Sequence, residues 1–342
     1  MNETERATLQ GVIERMSGLR VLVVGDLMLD EYRIGDVERI SPEAPVPIVR
    51  VREERHALGG AGNVARNLVS LGARADLVGS IGNDREAGLL RARAAEIGLE
   101  TSGLVESAAR PTTHKLRVVA QSRQMLRLDR EVDTPLAAPE RTRLERAVFE
   151  RLDACDAVVL ADYDKGLFAD GLAGSVIAAA RARGIPVAAD PKRELQRFRG
   201  ATLVKPNLAE ACAAVGGSGD EFRARVQLLE KLRAALGGAE IVVTRGGEGI
   251  SALGADGVVF DVPADRLAVY DVQGAGDTSM AALVLCRTAG ASLREACVVA
   301  NAAAGIAVSK LGTAAVTAAE LHARLFGPHA RPGSAPLASE AS

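Results

Sequence analysis

The chain has 342 residues, a formal net charge of −2 and 3% aromatic residues, with no tryptophan. That balance excludes the basic stripe or aromatic platform that holds nucleic acid. No apolar run reaches the roughly 18–20 residues of a membrane span and the charged N-terminal segment lacks a signal-peptide core, so a cytoplasmic protein with no nucleic-acid or membrane partner is expected.

In chain order, short apolar runs over 20–25, 75–81, 157–161, 186–190, 202–205 and 241–244 read as strands. Most are apolar throughout, the pattern of strands buried on both faces of a parallel sheet. Ala-, Leu- and Arg-rich segments over 63–71, 85–97, 139–152, 171–183, 220–236, 276–288 and 293–310 predict helices. The alternation predicts an α/β, doubly wound sheet whose ligands bind beyond the carboxyl ends of its strands. Segments 31–54 and 111–131 alternate polar and apolar residues instead, which predicts half-exposed antiparallel strands of a small accessory sheet. Such a sheet serves as a lid or, through its open edges, as an oligomer interface. Residues 1–327 then form one domain, and 328–342, rich in Pro, Gly, Ser and Ala, a disordered tail. Cys155, Cys212, Cys286 and Cys297 have no paired spacing and read as reduced core residues; no His/Cys cluster has metal-site spacing.

Polar and glycine-rich residues gather at the strand ends. Asp26 and Asp30 follow the first strand and suit the acceptance of sugar hydroxyls, or else a turn and a helix cap. Gly59, Gly60 and Asn63 precede a helix and offer backbone donors beside an amide. This run lies far from the first strand and lacks G-x-G-x-x-G, so a dinucleotide site is rejected. Lys165 and Lys192 follow later strands, as counter-charges for phosphate or as exposed loop lysines. Asn207 and Glu210 fit a metal–phosphate assembly held through water, or an ordinary cap. Thr244, Gly246 and Gly249 approach nucleotide phosphates or form a tight turn. Most informative is 271–283, where Asp271 leads into Gly274, Ala275, Gly276 and Asp277 and then a small, apolar helical run. Glycines at a helix N-terminus turn N–H groups toward an anion, and an aspartate in the first turn takes a proton from an attacking hydroxyl. These parts suit phosphoryl transfer.

The motifs, in this order, resemble the PfkB (ribokinase-like) family of carbohydrate kinases over about residues 18–320. Residues 59–67 resemble its N-terminal signature, 271–283 its C-terminal one, and Asn207 with Glu210 its N-x-x-E motif. The resemblance implies a ribokinase-like doubly wound, mostly parallel sheet with a small β-sheet lid, and a kinase using ATP and Mg²⁺. It makes Asp277 the general base and the N–H groups of Gly274, Ala275 and Gly276 the phosphoryl cradle. Asn207 and Glu210 would organise Mg²⁺ through water, while Thr244, Gly246 and Gly249, with Lys192 and Asp271, line the ATP site. Asp26, Asp30, Gly59, Gly60 and Asn63 would hold the sugar.

Residues 25–30, 37–47 and 124–129 resemble, more finely, the branch acting on heptose 7-phosphate. That implies phosphorylation of the anomeric 1-hydroxyl to heptose 1,7-bisphosphate, for lipopolysaccharide core. The sugar's own phosphate needs a cation, for which Lys115, Arg117, Arg127, Lys165 and Lys192 remain open. The branch often carries a fused nucleotidyltransferase domain; with no HxGH-like motif here, a stand-alone kinase is expected, as is a homodimer through the lid strands. Gln273 stands where the family has a small hydroxyl residue, which puts the anion hole and a neighbouring potassium site in question. Kinases for ribose or fructose phosphates would carry the same motifs. A non-catalytic sensor has no need of Asp277, Asn207 and Glu210 together.

Overall fold

A computed structural model describes residues 3–121, 123–218, 221–264, 270–310, 312 and 314–327. The expected tail, 328–342, lies outside the described residues, as does the predicted start of the 220–236 helix. In chain order the elements are α1 (Glu3–Met16), β1 (Arg20–Gly25), β2 (Leu27–Ile40), β3 (Pro47–Gly60), α2 (Ala61–Ser70), β4 (Arg74–Gly82), α3 (Arg85–Glu96), β5 (Leu104–Ser107), β6 (Thr113–Ala120) and β7 (Arg123–Arg130). There follow α4 (Ala138–Leu152), β8 (Ala157–Ala161), α5 (Leu172–Ala182), β9 (Val187–Asp190), β10 (Leu203–Val204), α6 (Leu208–Val215), α7 (Phe222–Ala235), β11 (Glu240–Thr244), β12 (Ile250–Leu253) and β13 (Val259–Val262). Helices α8 (Ala275–Thr288), α9 (Leu293–Val308) and α10 (Ala318–Phe326) complete the chain. Among the described residues no helix is long and apolar enough to cross a membrane.

Nine strands form the main sheet in the order β13-β12-β11-β10-β9-β8-β1-β4-β5. All pairs are parallel except those of β12, which runs against both of its neighbours. The apolar runs explain the layering. Along β1, Val21 and Val23 pack into one core with α1, α2, α8 and α9, while Leu22 and Val24 pack into a second core with α4, α5 and α7. A period of two thus sends alternate side chains into opposite layers, and both faces of the sheet are covered. After β1 the chain moves to β4 and β5, then returns to β8 on the other side of β1. The carboxyl ends of β1 and β8 are therefore the topological switch point, where open α/β sheets bind ligands.

The accessory sheet has the order β3-β2-β6-β7. Its strands were expected to be antiparallel throughout; β2–β3 and β6–β7 are, but the central pair β2–β6 is parallel, with Met28 opposite Thr113 and Gly35 opposite Ala120. The reason is where each strand begins. β2 leaves the rim directly after β1, and β6 leaves it after β5, so both run outward from the same edge of the main sheet. The sheet also reaches closer to the rim than 31–54 suggests, since Leu27 already pairs with Gly60.

Gly60 makes the return from lid to α2. Its φ is 57°, and a side chain there would run into the Asp26 carbonyl oxygen and Met28. Only glycine tolerates both the conformation and the close approach. We expect Gly60→Val to lower the unfolding free energy by roughly 1–3 kcal/mol, read by urea denaturation; unchanged stability would show that this junction relaxes freely.

Candidate active site

The strand order lays the site out as a line along the rim. Ser80 lies near the end of β4, Asp26 follows β1, Tyr163 and Lys165 follow β8, Asp190 ends β9, Lys205 follows β10 and Thr244 ends β11. From β4 to β11 is five strand spacings, roughly 24 Å.

Asp277 is the centre of this line. Gly274, at φ 74°, caps α8, and Asp277 falls in the first helical turn. The N–H groups at such a terminus have no intrahelical partners, and the helix dipole favours negative charge there. Both carboxylate oxygens of Asp277 are held. Asn63 Nδ2 donates to Oδ2 at 2.5 Å, and the Tyr163 hydroxyl donates to Oδ1. Asn63 is itself fixed: its Oδ1 accepts from Arg66 at 2.7 Å, and its backbone carbonyl from Asn67 Nδ2 at 2.9 Å. Asn67 in turn accepts from the Thr278 hydroxyl at 3.0 Å, which locks α2 to α8. Withdrawal from water raises the Asp277 carboxyl above its ordinary value, opposed by Tyr163, Asn63 and the charge of Lys205. A carboxylate raised in this way is a stronger proton acceptor than an ordinary one.

On one side of Asp277 lie the expected sugar residues. Asp26 is buried and accepts from the backbone N–H groups of Tyr163, at 2.8 Å, and Lys165, at 3.2 Å; burial pushes its carboxyl up to about 6. Asp30 pairs with Ala57 in the lid, and a side chain on Gly59 would collide with its carboxylate. Asp26, Asp30, Gly59, Gly60 and Asn63 thus lie together where β2, β3 and α2 meet at the rim.

On the other side lie the expected nucleotide residues. Asn207 and Glu210 form a reciprocal capping box on α6, Asn207 Oδ1 taking the Glu210 N–H at 2.9 Å and Glu210 Oε2 the Asn207 N–H at 2.8 Å. The bland alternative for this motif is therefore realised, and Glu210 Oε1 is further engaged by Lys192 at 2.8 Å. Asn207 bridges to Thr244, which brings this loop beside the turn containing Gly246 and Gly249. Asp271 accepts from the N–H groups of Gln273, at 2.9 Å, and Gly312, at 3.1 Å, and so shapes the approach to Gly274.

Sequence reasoning passed over three residues. Tyr163 sits inside an Asp-Tyr-Asp-Lys loop whose charges drew attention first. Lys205 is buried and pairs with Asp190 at 2.9 Å, and its Nζ lies where a side chain on Gly276 would meet it at 3.9 Å. A lysine ending a buried strand is a signal that was available. Asp190, pushed up by burial to about 6, completes this group. The candidate phosphate cations are mostly committed elsewhere. Lys115 pairs with Glu131 at 2.7 Å and Asp129 at 3.0 Å, Arg127 with Asp129 at 3.0 Å, and Lys165 with Glu131 at 2.9 Å. Arg117 is buried against Asp30 at 2.6 Å, so one expected phosphate cation is the partner of one expected sugar carboxylate.

The profile of the pfkB family of carbohydrate kinases matches residues 19–319. A bifunctional protein HldE of Caulobacter vibrioides is 45% identical over 331 residues, covering 94% of this chain and 66% of that protein. The HldE of Rhodospirillum rubrum is 44% identical over 319 residues, covering 92% and 64%. The chain thus spans about two thirds of the length of these curated relatives. Among solved structures, Escherichia coli phosphofructokinase-2 in complex with potassium superposes with a TM-score of 0.72 at 21% identity, over 90% of this chain and 97% of that one. Arabidopsis thaliana ribokinase with ribose and ATP gives 0.70 at 18%, over 90% and 99%. At those identities the likeness is one of fold, and it is the ribokinase-like fold with its separate small sheet. With the motif line along the rim and the match over 19–319, the chain belongs to the pfkB family of ATP-dependent carbohydrate kinases.

Proposed function

We propose that the chain transfers the γ-phosphate of ATP to the anomeric 1-hydroxyl of D-glycero-β-D-manno-heptose 7-phosphate, giving heptose 1,7-bisphosphate and ADP for lipopolysaccharide core synthesis. The observation that carries the reaction type is Asp277, held by Asn63 and Tyr163 at the N-terminus of α8. The 1-hydroxyl gives its proton to Asp277 as its oxygen attacks the γ-phosphorus, and the bond to the ADP oxygen breaks. The N–H groups of Gly274, Ala275 and Gly276, with Lys205, face the charge that spreads over the transferring group. The heptose assignment is supported by the lid sequence over 37–47 and by the similarity to two HldE proteins.

Mg²⁺ would neutralise charge between the nucleotide phosphates. Each Glu210 oxygen already accepts a hydrogen bond, and no three His, Cys, Asp or Glu among the described residues converge as a metal cage. Asn207 and Glu210 therefore suit contact through water, as magnesium often permits, better than direct ligation.

A homodimer through the lid accompanies this proposal. Leu126 and Leu128 of β7 are 51% and 52% exposed, opposite Val118 and Leu116 of β6, and Ile40, Val46 and Met125 add further exposed apolar surface to the lid region. Exposed apolar side chains on an open edge strand favour association.

Purified protein with ATP and Mg²⁺ should release ADP fastest with heptose 7-phosphate, ahead of fructose 6-phosphate, fructose 1-phosphate and ribose; preference for another sugar would replace the heptose assignment and keep the kinase. Asp277→Asn should lower kcat at least about 100-fold, the scale of a lost general base. The raised Asp277 carboxyl gives the pH sign: it must be ionised to accept the proton, so kcat falls on acidification at a pH above the ordinary carboxylate range, and protonation of Asp26, pushed up to about 6, adds to the same limb. An acid limb at the ordinary carboxylate value would contradict that environment. For the dimer, the double variant Leu126→Glu, Leu128→Glu should sediment at half the parent mass; a monomeric parent would dispose of the interface.

A further inference from the structure

The rim has an end that the phosphoryl-transfer chemistry leaves unused. Beyond Asp26, on the side away from the nucleotide loops, lies a small polar recess, partly open to solvent, whose lining includes Asp26, Ser80, Arg110, Thr113 and Lys165. These residues come from the carboxyl side of β1, β4 and β8 and from the start of β6. Arg110 differs from every cation weighed for the second phosphate. Lys115, Arg117, Arg127, Lys165 and Lys192 each pair with a carboxylate at 3.0 Å or less. Arg110 instead donates through Nη2 to two neutral carbonyls, those of Val132, at 2.8 Å, and Lys165. These bonds fix the guanidinium without neutralising it. Burial lowers its pKa, with Asp26, Glu140 and Asp133 opposing from nearby, so the cation is held in a partly dry site.

Tyr163 sets the distance. Its hydroxyl meets Asp277 and its backbone N–H meets Asp26, so the two carboxylates stand one tyrosine length apart. A sugar with its reacting hydroxyl at Asp277 and its ring hydroxyls at Asp26 has its far carbon directed past Asp26, into the recess. Lys192, at the nucleotide end beside Glu210, lies on the wrong side of Asp277 for that role.

We propose that this recess is the subsite for the substrate's second, non-reacting phosphate, with Arg110 as the cation that selects a phosphomonoester and Lys165 assisting it. The proposal rests on the sugar-kinase reading above. A planar guanidinium presents paired donors to phosphate oxygens, and a fixed one loses little entropy in doing so. Lys165 can turn to the phosphate by exchanging Glu131, with which it pairs at 2.9 Å.

The test compares heptose 7-phosphate with its dephosphorylated sugar, by calorimetric binding and by steady-state kinetics, in the parent, Arg110→Gln, Arg110→Lys and Lys165→Met. Hydrogen bonds to a charged group are worth about 10- to 150-fold in affinity. Arg110→Gln should therefore raise KM and Kd for heptose 7-phosphate by about that factor and collapse the preference for it over the plain sugar. Arg110→Lys should recover part of the preference, since charge remains but the fork is lost. KM for ATP reports on the folded nucleotide end, and Lys165→Met, which leaves the carbonyl anchors of Arg110 in place, provides a second reading if Arg110→Gln does not fold. Turnover of heptose 7-phosphate with its preference intact in both Gln and Met variants overturns the subsite and leaves the reaction standing. Tight binding without turnover, weakened by Arg110→Gln, supports the subsite and overturns the reaction. No binding by the parent overturns both.

Discussion

Between β1 and β8 the chain reverses its direction of travel across the sheet, and the crevice this leaves at their carboxyl ends governs the rest of the site. Asp26 leaves one strand and Tyr163 the other, and the two are joined across the crevice by a 2.8 Å hydrogen bond from the Tyr163 backbone N–H to the Asp26 carboxylate. Because parallel strands are evenly spaced, each loop along the rim occupies a fixed place in a linear order. In the proposed reading, the acceptor sugar falls at β1 and β8, the transferring group at β9 and β10, and the nucleotide at β10 and β11. A reaction that needs three groups in line is thereby built into the strand order before any side chain is chosen.

The chosen side chains carry an energetic cost that the fold absorbs. Burial pushes Asp26 and Asp190 up to about 6, so folding opposes their ionisation. The sign follows from linkage: the folded pKa is raised, the folded state binds more protons between the unfolded value and about 6, and stability falls as pH rises through that window. At neutral pH both groups thus work against the fold. What keeps them ionised is specific: two backbone N–H groups for Asp26, and the buried Lys205 for Asp190. The same Lys205 charge acts on Asp277, so the residue that compensates one carboxylate also helps to keep the other ionised. Perturbed carboxyls gathered on one rim are the physical signature of a functional site.

Much of this was legible in the sequence, for reasons that particular residues make plain. The central strands β1, β8 and β11 are apolar runs buried on both faces, and the expected bounds match them to within a residue. The short β5, β12 and β13 fall outside the predicted strands, since four residues beside glycine or serine carry little periodic signal. The glycine motifs announced the N-termini of α2 and α8 because few residues other than glycine satisfy those turns. Pairing was not legible. Nothing local tells Arg117 that its partner is Asp30, 87 positions away, or Tyr163 that its hydroxyl will meet Asp277, 114 positions on. Arg117 and Asp30 meet only when β2 and β6 pair within the lid, and Tyr163 and Asp277 only when the loop after β8 meets the start of α8, so such contacts follow from topology and not from local sequence.

Gln273 shows how a departure from pattern acquires meaning in the fold. A small hydroxyl at this position ends near its own backbone, whereas the glutamine amide extends far enough for its Oε1 to accept from the Tyr32 hydroxyl at 2.7 Å. Tyr32 belongs to β2 of the lid, and its ring lies 5.3 Å from the Arg117 guanidinium that holds Asp30. Gln273 immediately precedes Gly274, so the lid strand is tied to the residue that opens the phosphoryl cradle. A second tie runs through Asn63, which leaves the lid by way of Gly60 and binds Asp277. Gln273, beside Gly274, is therefore bonded to the lid, and Asp277 to the helix that follows it. A displacement of the lid changes the surroundings of both at once, which is the mechanical requirement for a site in which sugar enclosure and phosphoryl transfer are coupled.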